Sequence, residues 1–156
     1  MVGLAGLLAG LGICWAWWHG DSTQPYPFNH PAHRGMACQA CHTGVDARAS
    51  AGIPGGGVCA KCHATSPLPG KGMERAWGRM VGGQTRWNRL YRVPEHVYFS
   101  HRRHVILGKT DCATCHGAMA ERATPPSHSL AEISMDRCIS CHRKNSVTDD
   151  CAACHR

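Results

Sequence analysis

The residues most able to do chemistry are five cysteine pairs that share one spacing. Each pair reads C-x-x-C, and a histidine directly follows every second cysteine. These C-x-x-C-H motifs span residues 38–42, 59–63, 112–116, 138–142 and 151–155, and we number them one to five along the chain. Cys14, in the apolar N-terminus, lies outside them. Whatever chemistry needs two thiols and one imidazole at fixed spacing is therefore repeated five times.

The constant histidine separates the chemistries that use paired cysteines. Structural zinc takes four ligands and so uses cysteine pairs two at a time, which fits five pairs poorly. A thioredoxin-like redox pair occurs beside a βαβ pattern that this sequence lacks, and a disulfide framework requires no constant spacing. Covalent attachment of c-type haem needs two thioethers and an adjacent proximal imidazole. The motifs therefore predict five covalently bound haem c groups.

Each motif supplies two kinds of haem contact, and no catalytic residue is predicted. The predicted thioether cysteines are Cys38, Cys41, Cys59, Cys62, Cys112, Cys115, Cys138, Cys141, Cys151 and Cys154. The predicted proximal iron ligands are His42, His63, His116, His142 and His155.

Two H-x-x-H pairs lie shortly before motifs one and three. We predict their members, His30 and His33, and His101 and His104, as distal iron ligands. One histidine of the second pair is expected to serve the local haem and the other a neighbouring haem.

The fifth distal ligand stays open between Met135 and His128, which both precede motif four. A thioether ligand raises the haem potential relative to a second histidine, so the choice affects function. His96, Met80 or an open iron site are the remaining alternatives.

The segments that position these residues include an internal repeat. "FNHPAHRGMACQACH" (28–42) and "FSHRRHVILGKTDCATCH" (99–116) both read F-x-H-x-x-H, a short loop and a motif. The predicted organisation is an anchor (1–19), a module with haems one and two (20–65), an Arg- and Trp-rich connector (66–98) and a module with haems three to five (99–156).

The composition predicts a mainly irregular chain with short α-helices. Glycine (18) and proline (9) are frequent and aromatic residues make up only 6%, which disfavours long elements and a large apolar core. We therefore expect a small multihaem c-type cytochrome in which the chain wraps round five haems and has no stable fold without them.

Residues 1–18 contain no charged side chain and end in a tryptophan cluster. As a helix they would span about 27 Å, close to the thickness of a bilayer core. We predict one N-terminal transmembrane helix that places the haem modules on the periplasmic side of a bacterial inner membrane; a cleaved signal peptide is the alternative.

The formal charge of +7 does not indicate nucleic-acid binding once the haems are counted. Each haem carries two propionates, so five haems add up to ten negative charges, and +7 − 10 gives about −3. The arginines are better explained as propionate partners, and no nucleic-acid partner is predicted.

The F-x-H-x-x-H module followed by C-x-x-C-H resembles the class III, cytochrome c7-like, multihaem cytochromes c. "RVPEHVYFSHRRHV", with "ISMDRCISCHR" after it, is similar to the pentahaem subunit of bacterial alternative complex III. That resemblance covers roughly residues 26–156. It implies a quinol-oxidising membrane complex with iron–sulfur and integral-membrane subunits and a downstream cytochrome c or oxidase. It also implies that a methionine in the "ISMDRC" segment is a plausible ligand.

Three functions are compatible with these features. The first is an electron-transfer subunit of a quinol:acceptor oxidoreductase, in a respiratory or photosynthetic membrane, with no substrate chemistry on this chain itself. The second is a free-standing membrane-tethered or filament-forming electron carrier. The third is a multihaem reductase, which needs an open iron site with nearby acid–base groups, whereas the histidines outnumber the irons to be ligated.

Overall fold

The computed structural model describes residues 23–64, 73–83 and 86–155. The predicted anchor over residues 1–19 lies outside the described residues. Within the described ranges, no helix is long and apolar enough to cross a membrane.

Short helices joined by irregular chain make up the described structure, which confirms the prediction of a helix-poor, mainly irregular fold. The α-helices are α1 (Gly56–His63), α2 (Met73–Val81), α3 (Cys112–His116), α4 (Met135–Lys144) and α5 (Cys151–Cys154). A π-helix covers Arg102–Leu107, and 3-10 turns cover Pro31–His33, Cys38–Ala40 and Met119–Glu121. The described residues form no strand, only an isolated antiparallel bridge between Val97 and His155.

Every motif lies in or beside a helical turn, which suits its spacing. Residues three apart in a helix lie on the same face, so both sulfurs of a motif point to one side. Two motifs are also capped by the residue before them: the Asp111 carboxylate accepts from the Ala113 N–H at 2.7 Å and the Asp150 carboxylate from the Ala152 N–H at 2.9 Å. Such caps satisfy backbone donors that a helix start leaves unpaired. The attachment geometry is therefore encoded locally.

Helix α1, which carries motif two, packs against α2 through a glycine. Gly56 is buried at the start of α1, and a Cβ added there would overlap the carbonyl group of Met80. Met80 is itself only 4% exposed. The close approach of the two backbones therefore depends on the missing side chain.

Gly56→Ala is expected to destabilise the haem-loaded protein by about 1–3 kcal/mol, because the methyl group forces the two backbones apart. The measurement is thermal unfolding followed by circular dichroism. Gly57→Ala is the matched control, since nothing lies within 4 Å of its added Cβ and alanine is the better helix former. Equal melting temperatures for the two variants would contradict the packing role of Gly56.

The apolar core of the described residues is very small. Its buried hydrophobic side chains are Tyr26, Val45 and Met80, and no large side chain there is fully buried. Ordinary domains of this length hold themselves together by burying far more apolar surface. The polypeptide therefore needs attached groups to complete its apolar core.

Backbone hydrogen bonds connect the first haem module (20–65) to the second haem module (99–156). The His30 N–H donates to the Arg122 carbonyl at 3.1 Å, and the His101 N–H donates to the Ala49 carbonyl at 2.8 Å. The Tyr91 hydroxyl donates to the His116 carbonyl at 3.1 Å and accepts from the Leu130 N–H at 2.8 Å. These ties fix segments that carry motif histidines relative to one another.

Candidate haem-binding site

The ten motif cysteines are all free thiols in the described structure. Their surroundings raise the pKa of several of them: burial raises the pKa of the Cys59 thiol, and the neighbouring Cys41 raises it further. The motif cysteines thus stand as unpaired sulfurs, as thioether attachment requires.

Three predicted distal histidines face a motif histidine at nearly one distance. The ring centres are 6.1 Å apart for His33 and His63, 6.2 Å for His101 and His116, and 6.1 Å for His104 and His142. The rings of the second pair are almost parallel, at 5°. The histidines of the two H-x-x-H segments are thus divided between different motifs.

These distances fit an iron held between two imidazoles. Metal–imidazole bonds are about 2.0 Å, and each ring centre lies about 1.1 Å behind its nitrogen, so the ring centres of a bis-histidine pair should be about 6.2 Å apart. The three pairs match that value. Across the described residues, no group of three or more His, Cys, Asp or Glu side chains is arranged to hold a metal ion.

His30 is the distal candidate beside motif one. Burial lowers the pKa of His30, and the nearby His42 and His33 lower it further. Burial likewise lowers the pKa of His116, followed by the effects of His101 and His42. Both shifts favour the neutral imidazole, which is the form that binds metals.

A fourth pair joins His96 to His155 of motif five. Their ring centres are 5.5 Å apart and their planes lie 25° from parallel. The backbone holds the two residues together, since Val97 forms its bridge with His155 and the Tyr98 N–H donates to the Cys154 carbonyl at 2.7 Å.

Backbone carbonyls hold the Nδ1 atoms of five of these histidines. The pairs are His33 with Asn29 at 2.9 Å, His42 with Gly52 at 2.8 Å, His101 with Ala49 at 2.9 Å, His104 with Ser100 at 2.9 Å, and His142 with Thr148 at 2.6 Å. A ring that donates from Nδ1 leaves Nε2 as the metal ligand, and the carbonyl fixes its orientation.

The two copies of the F-x-H-x-x-H repeat have the same local geometry. Phe28 lies edge-on to His30 at 4.8 Å and stacks on His33 at 4.8 Å. Phe99 lies edge-on to His101 at 4.9 Å and stacks on His104 at 4.7 Å. One phenylalanine therefore positions two histidine rings that serve different motifs.

Neighbouring motifs can be ordered from the thiols that influence one another. Cys41 lies near Cys59, which joins motifs one and two, and Cys38 lies near Cys112, which joins motifs one and three. After burial, the nearby Cys141 and Cys138 raise the pKa of Cys115, and Cys154 raises that of Cys138. The spatial series is therefore two, one, three, four, five.

The candidates for the fifth distal ligand lie in different surroundings. Met135 begins α4 with 62% of its surface exposed. His128 is exposed in a loop, where its Nδ1 lies 3.2 Å from the Ser127 hydroxyl. Met80 packs against α1, whereas His96 contacts a motif histidine directly. The sequence favoured Met135 and His128 over His96, whose ring nevertheless contacts His155 of motif five.

Comparisons with known proteins indicate the same class of protein. Residues 97–156 match the family described as cytochrome c7 and related cytochrome c. Over 182 residues the chain is 28% identical to the multihaem cytochrome c subunit of menaquinone reductase from Nitratidesulfovibrio vulgaris (strain Hildenborough), covering 92% of this chain and 85% of that protein.

The family match spans motifs three to five together with His101 and His104. With the cysteine pairs, it indicates covalently bound haem c, and the paired histidines fit that group. Residues 97–156 are therefore similar to the cytochrome c7-like multihaem cytochromes.

Proposed function

We propose that this chain is a pentahaem electron-transfer subunit of a quinone-linked membrane complex. The observation that carries the proposal is the set of three histidine pairs at bis-ligand distance, which serve motifs two, three and four. Haem c bound at these motifs supplies one-electron oxidation and reduction. The chain's own contribution is to attach, orient and order five such groups.

The H-x-x-H segments couple neighbouring sites mechanically. Within each segment the first histidine serves the local motif and the second serves the next motif along the chain, so one rigid turn holds two sites at a fixed relation. His101 also connects the two haem modules, because its Nδ1 contacts the carbonyl of Ala49 in the first module. This arrangement supports electron transfer between adjacent sites without a conformational change.

The motif order gives the assembly two ends. Motif two lies at one end of the series and motif five at the other. Motifs one and three connect the first haem module to the second. Electrons would enter near one end and leave near the other.

The quinone link rests on the relative and on the sequence resemblance. The relative is named as a subunit of menaquinone reductase, and the resemblance to alternative complex III implies quinol oxidation with delivery to a cytochrome c or oxidase. The resemblance also implies iron–sulfur and integral-membrane partner subunits and a position on the periplasmic side of the inner membrane. An anchor over residues 1–19 would hold it there.

The test is a native gel of membranes in mild detergent, stained for covalent haem, with the subunits of each band identified by mass spectrometry. We expect haem at the position of a large complex that contains an iron–sulfur subunit and polytopic proteins. The intact mass of this chain should correspond to five attached haems. Haem stain at the size of a single chain or a ladder of its multiples would instead establish a free or filament-forming carrier.

A further inference from the structure

We infer that His96 is the distal iron ligand of the motif-five haem, which makes all five sites bis-histidine. This inference rests on the proposed function, because it presumes that motif five carries a haem. His96 lies one residue before the family match, which begins at residue 97.

Ring geometry is the first support. His96 faces His155 at 5.5 Å between ring centres, about 0.7 Å closer than the bis-histidine value of about 6.2 Å. A rotation of either side chain about its own bonds spans that difference. The near-parallel arrangement already presents one ring to the other.

The backbone is a second and independent support. The Val97–His155 bridge and the hydrogen bond from Tyr98 to Cys154 fasten the segment after His96 to the end of motif five. A turn closed by the Val97 N–H and the Pro94 carbonyl, at 3.0 Å, fixes the segment on the other side. Main-chain contacts on both sides therefore hold His96 beside motif five.

The occupancy of the other motifs is a third support. His33, His101 and His104 face the histidines of motifs two, three and four, and His30 has in the first repeat the same contact with its phenylalanine that His101 has in the second. His155 is the proximal histidine that remains, and His96 is the side chain stacked on it. Neither Met135 nor His128 is required to complete the set.

The consequence is a chain of sites without a methionine ligand. Methionine ligation raises a haem potential relative to bis-histidine ligation. Motif five, at one end of the series, would then share the low-potential character of the other four. That end would suit exchange with a low-potential partner better than delivery to an oxidase.

The experiment uses the purified full-length protein with its haems attached. Intact mass is measured first: a count of five haems sustains the proposed function, and a smaller count that lacks the motif-five haem would overturn both proposals. Near-infrared magnetic circular dichroism of the ferric protein then reports axial ligands. We expect only bis-histidine bands, and a methionine–iron charge-transfer band would overturn the His96 assignment.

Substitutions test whether His96 itself is the distal ligand. With five haems retained, His96→Ala should convert one haem in five to high spin by electron paramagnetic resonance, while Met135→Ala and His128→Ala stay fully low-spin. Should His96→Ala fail to mature, His96→Met should keep five low-spin haems, gain a methionine–iron band and raise one potential in a redox titration. A low-spin His96→Ala protein, or high-spin haem in either control, would overturn the inference.

Discussion

The chain without covalently attached haem is expected to be unfolded. When it is produced in the absence of haem-attachment machinery, its far-ultraviolet circular dichroism should lack the helical signal and its amides should exchange within seconds. The physical reason is the core, in which Tyr26, Val45 and Met80 are the buried hydrophobic side chains among the described residues. Burying one such side chain contributes about 1.5–3 kcal/mol, whereas ordering a single residue costs roughly 1–2 kcal/mol.

The haem-loaded chain is the control, and it should melt cooperatively. Removing one attachment site at a time sharpens the test. Replacing Cys112 and Cys115 of motif three by alanine should lower the melting temperature more than replacing Cys151 and Cys154 of motif five, because motif three adjoins motifs one and four and motif five ends the series. A haem-free chain with a native-like spectrum and a cooperative melt would refute the dependence of the fold on haem.

His101→Ala is expected to have two separate effects. One haem should become high-spin, because His101 is the partner of His116 at 6.2 Å. The protein should also lose about 0.5–1.5 kcal/mol of stability, because the ring nitrogen no longer contacts the Ala49 carbonyl at 2.9 Å and the Ala51 N–H at 3.1 Å. Electron paramagnetic resonance measures the first effect and thermal unfolding of the same sample measures the second.

His104→Ala provides the matched control for this variant. His104 also pairs with a motif histidine, but its Nδ1 contacts the Ser100 carbonyl of its own segment at 2.9 Å. It should therefore produce the same fraction of high-spin haem with a smaller loss of stability. A fully low-spin His101→Ala protein would count against the ligand role, and equal melting temperatures for both variants would count against the tie between the two parts of the chain.

The attachment sites could be predicted because their geometry is local. Cysteines three residues apart lie on one face of a helical turn, and the following histidine is carried with them, so the pattern alone specifies the arrangement at α1, α3, α4 and α5. The mainly irregular fold was also predictable, since glycine and proline are frequent. The close contact of Gly56 with Met80 was not predictable, because it depends on how α1 and α2 pack.

The partners of the distal histidines could be predicted from the sequence only in part. The two H-x-x-H segments stood out because each precedes a motif at short distance, and the structure pairs their second histidines with motifs two and four. His96 gave a weaker signal, since its partner His155 lies at the far end of the chain. Met135 and His128 ranked higher in the sequence because of the resemblance and of their proximity to motif four.

By itself, the sequence determined the attachment chemistry, because two thiols and an imidazole joined by a few bonds have a fixed reach. The tertiary structure alone decided which histidine faces which motif and the order two, one, three, four, five. Those relations depend on main-chain contacts between remote segments, such as His101 with Ala49 and Tyr98 with Cys154. Such contacts form only when the whole chain folds, so no local pattern records them.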